Sequence, residues 1–198
     1  MTIGASGTEG YSENAESLVM AWRNLSFEEV HRPIVHLLPT IPSNVLDIGA
    51  GIGTDAAALA AMGHNVVAVE PVDEFRAAGM ELHQSQKIEW LDDSLPELVI
   101  VRSTKVTFGL VMLTAVWMHL DEDERRRAMP NVCSLLGDGG PLIMSLRHGP
   151  IPPGRACLMS RRRRRSGSFV VRVYCQYWRR EPNLRNKRIV TTVSAGRG

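Results

Sequence analysis

A short stretch in the first third of the chain has the residue types and spacing of a cofactor-binding turn. Asp47 is followed by glycines at alternating positions, Gly49, Gly51 and Gly53, in the pattern D-x-G-x-G-x-G. Glycine accepts left-handed backbone angles and lets the backbone approach a ligand closely. An apolar run precedes the turn and an alanine-rich run follows it, so the unpaired N–H groups of a helix would face the bound molecule. A purely structural turn is the alternative.

A second acidic residue lies where it could bind a ribose. Glu70 ends the next hydrophobic run, residues 65–69. At the tip of a second strand, a carboxylate can accept hydrogen bonds from both ribose hydroxyls. Glu70 would do the same in a dinucleotide fold, so it supports a ribose without choosing the cofactor. Dinucleotide folds prefer G-x-G-x-x-G without an acid in the place of Asp47, which argues against a dinucleotide oxidoreductase.

Taken together, these residues resemble motif I and its surroundings in class I S-adenosylmethionine (SAM)-dependent methyltransferases. The resemblance covers roughly residues 11–153. Residues 135–145 are similar to the L-x-P-G-G-x-L signature before the fifth strand, with Asp138 in place of proline, and Gly109 stands where the family commonly has an acid. The family implies an α/β fold with a Rossmann-like, doubly wound, mostly parallel sheet in three layers. It also implies seven strands, the last two forming a hairpin beside the fifth.

The resemblance further implies SAM as the cofactor and a set of residues that bind it. An acid after the third strand hydrogen-bonds the adenine amino group in this family, and Asp93 is preferred to Asp92 for that role. A leading helix covers the cofactor, and Tyr11 either touches SAM there or is a loose terminal residue. The expected cofactor-binding residues are Asp47, Gly49, Ala50, Gly51, Gly53, Glu70, Pro71, Asp92, Asp93, Ser94, Thr114 and Tyr11.

Two residues after the fourth hydrophobic run are the candidates for contact with the methyl acceptor. Trp117 and His119 follow the predicted strand 106–113, and open α/β sheets bind ligands at the carboxyl ends of their strands. His119 could act as a base; the alternative is that both side chains pack beneath the next helix. The other histidines have no paired ligand spacing, so we expect no metal site.

Hydrophobic periodicity places the elements that would hold these residues. Besides residues 106–113, strands are predicted at 45–48, 65–69, 88–91 and 142–146. Helices are predicted at 11–25, 26–38, 54–62, 73–83, 95–101 and from Asp121 to about residue 136. Ser26 with Glu29, and Asp121 with Glu124, have the spacing of a capping box.

Length and composition are those of one cytoplasmic α/β domain. The 198 residues can bury a sizeable core. The three cysteines, Cys133, Cys157 and Cys175, have no C-x-x-C spacing and predict reduced thiols. There is no secretory leader and no apolar run near 18 residues, so we expect neither export nor a membrane partner.

The charge changes sign abruptly near residue 155. Residues 1–154 carry 10 Lys and Arg against 20 Asp and Glu, whereas residues 155–198 carry 13 against one. We therefore expect a disordered N-terminus (1–10), a SAM-binding methyltransferase domain (11–154) and a poorly ordered basic tail (155–198). The tail could be an out-of-frame replacement of the final helix and hairpin, or a basic arm for nucleic acid. With its partners missing, the fifth strand would be an apolar edge that aggregates, dimerises or captures residues 169–177.

The expected function is methyl transfer from SAM to an O, N or C nucleophile of a small molecule. No N-P-P-Y-type stretch follows the fourth strand, which argues against a nucleic-acid base as acceptor. The alternatives are a non-catalytic, truncated SAM-binding domain and a nucleic-acid-binding protein acting through its arginine-rich tail. The oligomeric state is left open.

Overall fold

The computed structural model describes residues 8, 10–84, 86–148 and 167–173; residues 147–148 and 167–173 are described as backbone only. Most of the predicted disordered N-terminus and most of the basic tail lie outside the described residues.

A single twisted sheet forms the centre of the molecule. Its strands are β1 (Asn44–Ile48), β2 (Asn65–Val69), β3 (Ile88–Leu91), β4 (Leu110–Leu113), β5 (Leu142–His148) and β6 (Gly167–Val173). They lie in the order β3-β2-β1-β4-β5-β6. The first five are parallel, and β6 pairs antiparallel with β5. This confirms the Rossmann-like, mostly parallel fold, with six strands in the described residues where the family implies seven.

Helices cover both faces of the sheet. They are α1 (Ala15–Trp22), α2 (Phe27–His31), α3 (Thr54–Ala61), α4 (Asp73–Leu82), α5 (Val99–Ser103) and α6 (Glu122–Leu135). One apolar cluster contains side chains of α2 and α3, and another contains side chains of α5 and α6. Alternate residues of β4 enter the two clusters, Leu110 and Met112 one, Val111 and Leu113 the other. Both faces of the strand are therefore buried, as expected in a parallel sheet.

Local sequence signals explain where two helices begin. The Asp121 side chain accepts a hydrogen bond from Glu124 N–H and the Glu124 side chain accepts one from Asp121 N–H, each at 2.7 Å, which completes the predicted capping box of α6. Ser26 caps α2 by accepting a hydrogen bond from Glu29 N–H.

Several predicted features differ from the structure. The helix predicted at 26–38 ends at His31, shortly before Pro33, and a separate 3-10 turn spans Val35–Leu37. The helix predicted at 95–101 begins only at Val99, because Leu98 has φ +48° and interrupts a right-handed helix. The strand predicted at 106–113 begins at Leu110, since Phe108 makes only an isolated bridge to Leu136. Cys133 is disulfide-bonded, whereas the sequence predicts a reduced thiol.

None of the helices within the described residues has both the length and the apolar composition needed to cross a bilayer.

Candidate active site

The glycine turn between β1 and α3 is shaped so that no side chain fits at its first position. Gly49 has φ +72°, and a Cβ there would overlap Cγ2 of Val116. Gly49 N–H and Ala50 N–H both donate to the Val69 carbonyl, at 2.8 and 3.0 Å, which fixes the turn to the end of β2. The turn therefore brings bare backbone to the carboxyl edge of the sheet, beside the start of α3.

Glu70 holds the other side of the turn. The Glu70 side chain is 5% exposed, its Oε2 accepts from Gly51 N–H at 2.8 Å, and its Oε1 accepts from Val72 N–H at 2.9 Å. Burial raises the pKa of this carboxyl, which the two backbone N–H groups partly offset. Each carboxylate oxygen has a second lone pair, so Glu70 can still accept two hydroxyl donors.

Asp47 is a buried acid with one oxygen unused. It is 1% exposed, and Oδ2 has no hydrogen-bond partner within the described residues. Burial first, then the charges of Asp55 and Glu70, raise its pKa well above the ordinary value of 3.8. A buried, unpartnered carboxylate oxygen is costly, and a cationic or N–H-bearing ligand would satisfy it.

The two acids after β3 have different surroundings. Asp93 is buried, with Oδ1 accepting from Ser94 N–H and Oδ2 from Val101 N–H, each at 2.9 Å. Asp92 is 67% exposed at the side chain and lies 3.5 Å from Arg76 Nη1, outside the cavity. The structure thus places Asp93, and not Asp92, beside the glycine turn.

A buried polar network joins three elements beneath the cavity. Asp55 Oδ2, at the start of α3, lies 2.8 Å from His31 Nε2 and accepts from the Thr114 hydroxyl at 2.7 Å. Thr114 follows β4 and is succeeded by Ala115, which has φ +59° and donates its N–H to Ser145 Oγ at 2.6 Å. Such a backbone angle in a non-glycine residue costs of order 1–3 kcal/mol and tends to occur at functional sites.

Tyr11 and His119 meet at the open side of the cavity. The Tyr11 hydroxyl lies 3.3 Å from His119 Nε2, and the rings contact edge to face with centroids 5.7 Å apart. Tyr11 also contacts Phe75 of α4 edge to face, at 5.8 Å, and Trp22 of α1 lies 4.9 Å from Phe75. These aromatic contacts dock the leading helix against α4 and over the glycine turn.

One cavity of about 350 Å³ brings most of the predicted site residues together. The predicted residues that line it are Asp47, Gly49, Ala50, Gly51, Glu70, Pro71, Asp93, Ser94, Thr114, Tyr11 and His119. Gly53, Asp92 and Trp117 do not line it. A Cβ on Gly53 would lie 2.7 Å from Trp90 Cη2, so that glycine makes room for a packed ring. Trp117 packs against the core cluster of α6, the alternative that its sequence position left open.

The sequence patterns did not predict several of the residues that line the cavity. Asp55, Trp22, Phe75, Val116 and Met118 all face the cavity. An acid in the first turn after the glycines was a usable signal for Asp55. The others belong to ordinary apolar periodicity and could be assigned only once the helices were placed. No group of three or more His, Cys, Asp or Glu side chains within the described part of the chain could hold a metal ion.

The sequence and the fold are similar to those of known proteins. Residues 45–140 match the family model for a methyltransferase domain. A TehB-like SAM-dependent methyltransferase from Corynebacterium glutamicum is similar in structure, with a TM-score of 0.59, 22% identity, and coverage of 70% of this chain and 74% of that one. The 1,6-didemethyltoxoflavin-N1-methyltransferase of Burkholderia thailandensis has a TM-score of 0.57 and 22% identity, and the match covers 73% of this chain and 62% of that one. TehB from Haemophilus influenzae has a TM-score of 0.56 and 16% identity, with coverage of 75% of this chain and 51% of that one.

The matched region thus spans less than two thirds of the last two relatives, and at these identities the likeness establishes a shared fold. No curated protein matches the sequence significantly. The family model covers the residues from β1 to the turn before β5, which include the glycine turn, Glu70 and Asp93. Residues 45–140 thus match a methyltransferase domain, and the fold around them is one that SAM-dependent methyltransferases share.

Proposed function

We propose that this domain binds SAM in the 350 Å³ cavity and transfers its methyl group to an O, N or C nucleophile of a small molecule. The observation that carries the proposal is the unpartnered Oδ2 of Asp47 beside a glycine turn, in the same cavity as Glu70 and Asp93. The ammonium of SAM would satisfy Asp47, the ribose hydroxyls would bond to Glu70, and the adenine would lie at Asp93 and Ser94. The Burkholderia relative was crystallised with 1,6-didemethyltoxoflavin and S-adenosylhomocysteine, which supports this reading.

When bound, SAM supplies an electrophilic methyl group on a sulfonium. The protein's own contribution is to hold the acceptor in line with that methyl and to exclude water. Tyr11 and Trp22 cover the cavity from the leading helix. His119 would accept the proton that the acceptor loses by a relay through the Tyr11 hydroxyl, which lies 3.3 Å from His119 Nε2.

Titration calorimetry with SAM tests the cofactor site. We expect micromolar affinity for the full chain, weakened roughly tenfold or more by Glu70→Gln, because a hydrogen bond to a charged group contributes about 1.5–3 kcal/mol. Asp92→Asn is the matched control, since this acid lies outside the cavity, and should bind as the parent does. NADH binding tighter than SAM binding, or Glu70→Gln without effect, would contradict the proposed site.

The same titration separates binding from chemistry at His119. His119→Gln should keep the SAM affinity within about twofold while lowering turnover of a methylated acceptor roughly 10²–10⁴-fold, the usual contribution of a general base. Turnover is measured as release of S-adenosylhomocysteine. Unchanged turnover would show that His119 only packs.

A further inference from the structure

We propose that the acceptor of this site is an uncharged, planar aromatic or heteroaromatic molecule whose O–H or N–H is methylated. The inference rests on the proposed methyl transfer and adds a chemical class to it. It depends on the charges, the walls and the polar groups of the cavity.

The charged side chains that line the cavity are all acidic. They are Asp47, Asp55, Glu70 and Asp93, and no Lys or Arg occurs among the described lining residues. An anionic acceptor would lose its hydration in a cavity whose side chains offer it no Lys or Arg to pair with. Charge of the same sign at a binding site is how proteins reject a ligand class.

The arginines near the site are engaged elsewhere. Arg76 donates to the Glu70 carbonyl oxygen at 2.7 Å and forms ion pairs with Asp73 and Asp92, outside the cavity. Arg125 donates Nε–H to the Trp117 carbonyl oxygen at 3.2 Å and does not line the cavity either. Neither arginine is placed to bind a carboxylate or phosphate of the acceptor.

Apart from the acids, the side chains that line the cavity are mainly aromatic and aliphatic, and the Trp22 ring lies over Gly51 of the glycine turn. Tyr11 and Trp22 come from the leading segment, and Leu25, Met118 and Leu120 complete the apolar surface. Edge-to-face contacts fix Tyr11 between Phe75 and His119, with ring planes at 80° in both pairs. A planar ring buries much apolar area in such a slot at little conformational cost.

The Tyr11 hydroxyl and His119 Nε2, at the open side of the cavity, form a polar pair that suits a neutral nucleophile. As the acceptor's lone pair formed the bond to the methyl carbon, the S–CH₃ electron pair would return to sulfur. The acceptor's O–H or N–H proton would pass to the Tyr11 hydroxyl, whose own proton would pass to His119 Nε2. A protonated amine has no lone pair and must lose its proton first. A fixed ammonium on the acceptor would also lie close to the sulfonium of SAM, so the carboxylates do not by themselves favour a cationic acceptor.

Matched sets of ligands test the class. Catechol, 3,4-dihydroxybenzoate and dopamine form one set; benzimidazole, its 5-carboxylate and its 5-aminomethyl derivative form another. Affinity is read by ligand-observed NMR with the full chain loaded with sinefungin, an unreactive analogue whose amine carries a positive charge in place of the sulfonium of SAM. Methyl product is read by mass spectrometry in separate reactions with SAM. The neutral member should bind about tenfold tighter than either charged member, a discrimination of the size expected when a charge is buried unpaired.

A charge placed at the mouth provides the second variant. Leu25 lines the cavity yet is 51% exposed, so Leu25→Lys should fold and should raise affinity for the carboxylated members by about fivefold, the effect of one partly screened ion pair. Met20→Lys, five residues earlier in α1 at a residue that is 61% exposed and outside the cavity, adds the same charge and should change nothing.

The outcomes distinguish a wrong acceptor class from a wrong methyltransferase proposal. If SAM binds but a charged member binds as well as the neutral one, or no neutral member binds, the acceptor class is wrong and the methyltransferase proposal stands. If SAM does not bind to the folded chain, both are wrong.

Discussion

Asp47 shows how a binding residue can work against the stability of the protein that carries it. Its carboxyl is buried, lies near Asp55 and Glu70, and leaves Oδ2 without a partner. Burial and these two charges raise the pKa of Asp47. At neutral pH the folded protein must therefore either bury a charged carboxylate or keep this carboxyl protonated, and both states cost folding free energy. A ligand cation would remove this conflict.

Asp47→Asn should therefore stabilise the ligand-free protein and weaken SAM binding. A carboxyl whose folded pKa is raised favours folding fully below the unfolded value of 3.8, and this contribution is lost as the pH rises toward the raised pKa. The variant should gain on the order of 1 kcal/mol of unfolding free energy at neutral pH and little near pH 4, because a buried amide costs less than a buried charge.

Urea unfolding from pH 4 to neutral pH measures the difference in unfolding free energy between Asp47→Asn and the parent. Calorimetry with SAM measures the loss of affinity, which should be about tenfold or more. Asp92→Asn, which removes an exposed charge, should show neither effect. An Asp47→Asn protein that is less stable than the parent at neutral pH would contradict the argument.

The residues of the site divide by what fixes their positions. Asp47 lies near the carboxyl end of β1, while Glu70 and Asp93 follow β2 and β3. A parallel sheet gathers these strand ends at one edge, so spacing alone could place them. The network of His31, Asp55 and Thr114 joins residues 24 and 59 positions apart, and only the packing of α2 and the end of β4 on α3 brings them together. No local pattern encodes such contacts.

At the scale of elements, α4 shows why propensity misjudges a glycine. Gly79 lies within this helix, where alanine is intrinsically better by about 1 kcal/mol. A Cβ at Gly79 would, however, overlap Trp90 Cη2 on β3 and lie 3.1 Å from the Ile52 carbonyl oxygen. The same indole ring also covers Gly53, so it packs between α4 and the glycine turn.

Gly79→Ala should thus destabilise the protein by about 1–3 kcal/mol, the usual cost of overpacking, although propensity predicts the opposite sign. In a Trp90→Leu background most of this cost should disappear, because the ring atoms that clash are gone. A double-mutant cycle by chemical denaturation measures both. Equal effects of Gly79→Ala in the two backgrounds would show that Trp90 is not the obstacle.

Sequence patterns located the elements more reliably than their ends. The strands at β1, β2 and β3 are short apolar runs bounded by polar residues, and the structure gives them nearly the predicted limits. The predicted starts of α5 and β4 were wrong. A single left-handed residue, Leu98, sets the start of α5, and at Phe108 the chain makes only an isolated bridge, so β4 begins later. Such features depend on tertiary contacts and leave no periodicity.

At the scale of the whole molecule, the basic segment contributes a strand to an acidic domain. Gly167–Val173 pairs with β5 along seven residues, from His148 opposite Gly167 to Leu142 opposite Val173. This pairing covers an edge that would otherwise expose unpaired N–H and C=O groups beside buried apolar side chains such as Leu142 and Met144. The strand, rather than the charge around it, is what the sheet requires.

Deleting residues 155–198 should consequently make the protein self-associate through the bare edge of β5. The matched control changes Arg161–Arg165 to glutamine and leaves Gly167–Val173 intact, which removes five positive charges but keeps the pairing partner. Sedimentation velocity should show larger species for the deletion variant at concentrations where the parent and the glutamine variant behave alike, because an uncovered edge strand is a template for pairing with another chain. If the deletion variant sediments as the parent does, β6 does not protect the edge; if the glutamine variant associates instead, repulsion between arginine-rich segments keeps the chains apart.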